Sequence, residues 1–138
     1  MERGGCVTLV GAGPGDPGLI TVGGREALRK AEVVLFGRLV GEGVLALSPE
    51  AAERIDVGKH KGNHPVPQDE INRLLLEHAG RGRREGRLKG GDPYLFGRGA
   101  EELEGLDRHG IPFRVVPGVT SAIAAPATAG IPVTHRNH

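Results

Sequence analysis

An apolar run that breaks abruptly into glycines, Val7-Thr8-Leu9-Val10-Gly11-Ala12-Gly13-Pro14-Gly15-Asp16-Pro17-Gly18, constrains this chain more than any other stretch. Four apolar or β-branched residues suit a buried strand, and the glycines after them permit backbone angles and close approaches that a Cβ would block. Asp16 is placed to cap a following helix, with Pro17 at its first position, where a missing N–H costs nothing. A strand, a tight turn and a helix N-terminus together make a place to hold an anionic or polar ligand. The same pattern also serves as a plain strand-to-helix connection. Gly13, Gly15 and Gly18 satisfy the dinucleotide spacing G-x-G-x-x-G, but Pro14 and Pro17 stiffen the turn and remove two donors that a pyrophosphate would use. A Walker-type phosphate loop is absent: Gly58-Lys59 has Glu53 where the first glycine should stand and is followed by His60.

The 138 residues suit one domain with a core of its own. Glycine supplies 24 of them, more than twice its usual share of about 7%, which points to many tight turns between short elements. Aromatic residues are limited to Tyr94 and three phenylalanines, too few for a base-stacking platform, and a net charge of +1 steers the chain toward neither nucleic acid nor a membrane. The single cysteine, Cys6, forms no internal disulfide and fits a reducing compartment. No run reaches the length of a membrane span and no apolar leader precedes the first strand, so the expectation is a soluble cytoplasmic protein.

Read in order, residues 18 to 31 carry an apolar stripe (Leu19, Ile20, Ala27, Leu28, Ala31) with charges between, the pattern of a surface helix. Val33-Val34-Leu35-Phe36 is a second buried strand ended by Gly37. A helical piece around Val44 to Leu47 stops at Ser48-Pro49, and Arg54-Ile55-Asp56-Val57 reads as a third strand. The loop Gly58 to Pro65 is long and basic, and such loops tend to be functional. Pro67, Gln68, Asp69 and Glu70 open a helix with Ile71, Leu74, Leu75 and His78 on one side. The alternation then requires a fourth strand before Lys89, although Arg81 to Leu88 barely support one by composition. Lys89-Gly90-Gly91-Asp92-Pro93 is a second glycine turn, Gly99 to His109 a helix, and Phe113-Arg114-Val115-Val116 a fifth strand. Pro117-Gly118 turns that strand into the small-residue helical segment Val119 to Ala125. Strand and helix alternate throughout, which predicts an α/β fold with a five-stranded, mainly parallel sheet flanked by helices, and ligands at the carboxyl ends of the strands.

Three separated stretches carry a resemblance. Val10-Gly11-Ala12-Gly13-Pro14-Gly15-Asp16-Pro17, Arg87-Leu88-Lys89-Gly90-Gly91-Asp92-Pro93-Tyr94-Leu95-Phe96-Gly97-Arg98-Gly99 and Val116-Pro117-Gly118-Val119-Thr120-Ser121-Ala122 are together similar to the tetrapyrrole methylases. Within that family the branch acting on uroporphyrinogen III is the nearest match, with Val57-Gly58-Lys59, Pro67 to Asn72 and Gly130 to Arg136 also in place. The resemblance implies methyl transfer from S-adenosylmethionine to two pyrrole carbons of uroporphyrinogen III, giving precorrin-2 for sirohaem or cobalamin synthesis. It also implies a homodimer of two-domain subunits, of which residues 1–138 would be the N-terminal domain and a half-site. The donor-binding positions it carries over are Pro14, Gly90, Gly91, Asp92, Leu95, Thr120 and Ser121, and the proton donor falls on Lys59. A basic loop holding Lys59, His60, Lys61 and His64 also suits a substrate rich in carboxylates. No metal site is expected, since His60 and His64 lack a third ligand and a helix to align them.

The chain departs from the family pattern at two places. Gly37 stands where the family has an aspartate before Arg-Leu-Val, the residue assigned as proton acceptor. Glu85 and Gly86 stand where two valines normally precede Arg-Leu-Lys-Gly-Gly-Asp-Pro, and a carboxylate in a central strand should cost stability unless it is paired. A non-catalytic module that keeps the fold is therefore the competing reading. A nicotinamide-binding domain is the third, but Phe36-Gly37-Arg38 lacks the acidic residue that would hold a ribose.

Overall fold

Cys6–Gly11 forms β1, and four further strands follow it: β2 (Val33–Phe36), β3 (Glu53–Asp56), β4 (Arg84–Lys89) and β5 (Phe113–Val116). The structure, a computed structural model, describes residues 4–58 and 64–138. The strands make one sheet in the order β3-β2-β4-β1-β5, and every neighbouring pair is parallel, as the alternating pattern predicts. All three glycine turns therefore leave the sheet at its carboxyl edge.

Helices cover both faces. On one face, Val7, Leu9, Val33 and Leu35 pack beneath α3 (Gln68–Gly80) and α4 (Gly99–Arg108) through Ile71, Leu75, Ala79, Leu103 and Leu106. On the other, Val10, Val34 and Leu88 meet Leu28 of α1 (Val22–Arg29), Ala31 beyond it, and Val44 of α2 (Glu42–Leu45). The last helix, α5 (Ser121–Thr128), follows β5. No helix among the described residues is long and apolar enough to cross a membrane.

The first helical stretch divides in two. Asp16 caps only a short 3-10 turn, Pro17–Leu19, by accepting from the Gly18 amide at 2.8 Å. The helix proper starts after Thr21, whose Oγ1 accepts from the Gly24 amide at 3.0 Å. A second N-cap within the same apolar stripe thus resets the chain direction, which spacing alone does not show.

The least strand-like segment lies at the centre. β4 pairs with both β1 and β2, with Glu85 level with Val7 and Val33, and Arg87 level with Leu9 and Leu35. Glu85, Arg87 and Lys89 alternate onto the face beneath α3 and α4, and all three are buried. Backbone pairing on both sides overrides the poor composition of the segment.

Candidate active site

Three turns converge at the carboxyl edge because glycine lets their backbones touch. A Cβ on Gly118 would lie 2.2 Å from the Gly91 carbonyl oxygen and 2.7 Å from Gly11 Cα, so the ends of β5, β4 and β1 are packed main chain against main chain. Gly13 and Gly91, both at positive φ, bridge the first two turns, exchanging amide-to-carbonyl bonds of 3.2 and 2.8 Å. Asp92 then ties the second turn to the third. Its Oδ1 accepts from the Gly118 amide and its Oδ2 from the Tyr94 amide, each at 3.0 Å. Thr120 caps α5 by accepting from the Ala122 amide at 3.3 Å.

An open cavity of about 410 Å³ lies over this junction. Pro14, Gly90, Gly91, Asp92, Leu95, Thr120 and Ser121, the seven positions expected to bind the methyl donor, all line it. Residues from three turns, as far apart in sequence as Pro14 and Ser121, are brought to one wall by the sheet order. Gly37 lines the same cavity, and the space where its Cβ would stand is empty. Lys59, His60 and Lys61 lie outside the described residues. Gly58, immediately before them, packs against the Arg38 backbone, where a Cβ would fall 2.6 Å from its nitrogen. That contact borders a second cavity of about 420 Å³, shared by Gly37, Arg38, Gly58, Arg87 and Arg98.

Several lining residues were not expected from the sequence. Leu39 and Phe96 are 80% and 98% exposed, giving the cavity an apolar rim. Phe96 and Arg98 hold φ values of 59° and 55°, a left-handed backbone that costs on the order of 1–3 kcal/mol per residue. Arg98 is then locked to Glu101 of α4 by bonds of 3.0 and 2.7 Å, and those bonds hold the Glu101 carboxyl below its ordinary range. Arg87 and Lys89 form the floor. Both donate to Glu102 of α4, Arg87 Nη2 at 3.1 Å and Lys89 Nζ at 2.9 Å, while Gln68 Nε2 reaches the same Oε1 at 3.2 Å. Burial presses the Lys89 ammonium below the usual lysine range, against the pull of Glu102. The sequence signal for this floor was present: two cations at alternate positions of a central strand require a buried partner.

A parallel sheet with an open, glycine-walled cavity at its carboxyl edge defines an α/β ligand-binding domain. The profile of the Tetrapyrrole (Corrin/Porphyrin) Methylases matches residues 6–138, and the chain belongs to that family. A siroheme synthase of Edwardsiella ictaluri is 56% identical over 138 residues, which are 100% of this chain and 30% of that protein. A siroheme synthase of Tolumonas auensis is 60% identical over 134 residues, covering 97% of this chain and 29% of that protein. Among solved structures, uroporphyrin-III-C-methyltransferase from Thermus thermophilus superposes with a TM-score of 0.85 at 50% identity, over 97% of this chain and 56% of that one. The same enzyme complexed with S-adenyl homocysteine gives 0.81 at 53% identity, over 95% and 54%. The chain thus spans under a third of the curated relatives and about half of the solved ones.

S-adenosylmethionine is the methyl donor of this family. The cavity passes a test of fit: a Cβ on Gly90 would stand 2.8 Å from Leu39 Cβ and Gly91 takes φ +65°, so glycine keeps the wall thin and its backbone groups within reach of a ligand.

Proposed function

We propose that this chain is the N-terminal domain of an S-adenosylmethionine-dependent uroporphyrinogen-III C-methyltransferase, forming half of the site that methylates two pyrrole carbons to give precorrin-2. The observation that carries this reading is the convergence of Pro14, the Gly90-Gly91-Asp92 turn, Leu95 and the Thr120-Ser121 pair on one cavity. Family membership and the likeness to the Thermus enzyme support it. The wider reading is a homodimer of two-domain subunits acting in the cytoplasm toward sirohaem or cobalamin, and the siroheme synthase relatives support the first of these products.

Bound S-adenosylmethionine supplies an electrophilic methyl group. The residues of this chain orient rather than react: in-line attack by an electron-rich carbon needs the two partners held in register, and little covalent help. Gly90 and Gly91 expose backbone groups, Leu95 gives an apolar contact, and the Thr120 and Ser121 hydroxyls can bond polar edges. Asp92 keeps the cavity wall closed through two amides, and each carboxylate oxygen retains capacity to accept from an ammonium or hydroxyl. We assign proton donation to Lys59. Gly37 carries no group that could accept a proton, and this favours the second reading, a methylase-fold module without catalysis.

Calorimetric titration of S-adenosylhomocysteine into the purified chain, with sedimentation to give the association state, tests the proposal. Micromolar binding is expected. A folded chain that does not bind would overturn the claim that these turns alone make a competent half-site.

A further inference from the structure

The Arg87–Lys89–Glu102 cluster holds more positive charge and more donors than it uses. Glu102 is fully buried, with Arg87 and Lys89 side chains only 7% and 6% exposed, so two cations share one carboxylate away from water. Among the described residues, Lys89 Nζ makes one hydrogen bond, to Glu102 Oε1, although an ammonium carries three N–H donors. Arg87 spends its contacts on both Glu102 oxygens and on the Leu88 carbonyl. The Lys89 stem runs beneath the Phe96-Gly97-Arg98 turn, where a Cβ on Gly97 would come within 3.1 Å of its Cε. The turn above is built around that path, and both cations line the cavity.

Glu101 of α4, which also feels the Lys89 charge, is itself bonded to Arg98, so the buried cluster keeps one cation in excess, with unused donors and one side open to a cavity, and an anion completes it. We propose that Lys89, with Arg87 beside it, is a carboxylate-binding subsite in the cavity floor that takes an acidic group of the bound ligand. The chemistry recognised is a carboxylate. Resting on the function proposed above, it comes either from an acidic side chain of the tetrapyrrole or from the amino-acid end of the methyl donor.

The test compares the wild-type chain with Lys89→Met, Lys89→Arg and Glu102→Gln. Uroporphyrin III and S-adenosylhomocysteine are titrated separately, and melting is followed in acetate and in chloride at equal ionic strength. Lys89→Met should weaken one of the two ligands about tenfold, which identifies the source of the carboxylate, and Lys89→Arg should restore binding to within about threefold. Glu102→Gln should lower the Tm yet bind that same ligand more tightly, and acetate should raise its Tm more than it raises that of the wild type. A purely structural cluster makes the opposite prediction for Glu102→Gln, weaker binding and no acetate effect. Unchanged binding of both ligands in Lys89→Met would overturn the subsite, as would an acetate-insensitive Glu102→Gln should Lys89→Met not fold. Failure of the functional reading looks different: a folded wild type that binds neither ligand, while acetate still stabilises Glu102→Gln, removes the tetrapyrrole and the donor but leaves the carboxylate subsite standing.

Discussion

Two glutamates are buried on the same side of the sheet, Glu102 at 1% exposure and Glu85 at 2%, and they have opposite surroundings. Glu102 comes down from α4 onto Arg87, Lys89 and Gln68, and its Oε1 accepts from all three. Glu85 rises from β4 itself two residues before Arg87, and neither of its carboxylate oxygens has a hydrogen-bond partner. Burial pushes the Glu85 carboxyl up to about 8, with Arg83 and the Ala79 backbone pulling weakly the other way without a bond of normal geometry. Arg83 is committed elsewhere, to Glu53 at 2.6 Å and His78 Nδ1 at 2.9 Å. The difference shows that burial alone does not decide what a carboxylate does to a fold; the donors facing it do.

The largest effect expected from this contrast is at Glu102. Replacing it by leucine removes the buried carboxylate bonded to both Arg87 and Lys89, and the cost should be about 3–5 kcal/mol in urea unfolding. Glu85→Val should act in the opposite direction, raising stability by about 1–3 kcal/mol at pH 7 because an unsatisfied polar group leaves the core and an apolar one takes its place. A loss of stability in Glu85→Val would mean that the carboxylate has a partner this geometry lacks.

The same contrast has a pH signature. In the unfolded chain Glu85 loses its proton near its ordinary 4.5, and in the folded chain only near about 8, so the folded state holds the extra proton between those values. Its contribution is therefore fully present below 4.5 and is lost as pH rises, by up to about 1.4 kcal/mol per unit, until the folded carboxyl ionises. His78 acts with the opposite sign at lower pH, because burial holds it neutral below its ordinary 6.5. The His78 contribution fades only about one pH unit above its ordinary 6.5, where the unfolded imidazole has also lost its proton, so the slope just below pH 8 reads chiefly Glu85, and Glu85→Gln should flatten it.

A smaller gain is expected one position along the strand. A Cβ on Gly86 would meet Ala31 Cβ and Leu28 Cδ2 at 3.5 Å and Val34 Cγ2 at 3.8 Å, ordinary contact distances on the apolar face. Gly86→Ala should stabilise by about 0.5–1 kcal/mol, and a null result would place the room for that methyl group in doubt.

These residues also mark how far the sequence could be read. The glycine turns were legible because Gly11, Gly91 and Gly118 serve a need few other residues meet, backbone against backbone, and their motifs are separated enough to give the alternation and the parallel sheet. β4 was legible only by elimination. Its composition argues against a strand, and what makes it one is pairing on both edges with β1 and β2, a long-range fact absent from any local window. Glu102 was hidden for a related reason: next to Leu103 and four residues before Leu106 it shares the inner stripe of α4, but a carboxylate there reads as solvated until the cations of β4 are set beneath it. The left-handed Phe96 and Arg98 had no signal at all, since neither residue type favours positive φ.

A third carboxylate would sharpen the comparison from the neutral side. Gly37 is half-buried on the wall shared by both cavities, and nothing lies within 4 Å of where its Cβ would stand. Its φ is outside the left-handed region, so a side chain brings no backbone strain. Gly37→Asp therefore has neither the burial that penalises Glu85 nor the dense donors that hold Glu102, and stability should change by no more than about 0.5 kcal/mol. Because the carboxylate would project toward the cavity, any consequence should be in ligand affinity or turnover rather than in folding. Paired urea melts and S-adenosylhomocysteine titrations separate the two. A large loss of stability would show that open space at this edge is not equivalent to solvent, and that the field of the carboxyl-edge turns already disfavours negative charge there.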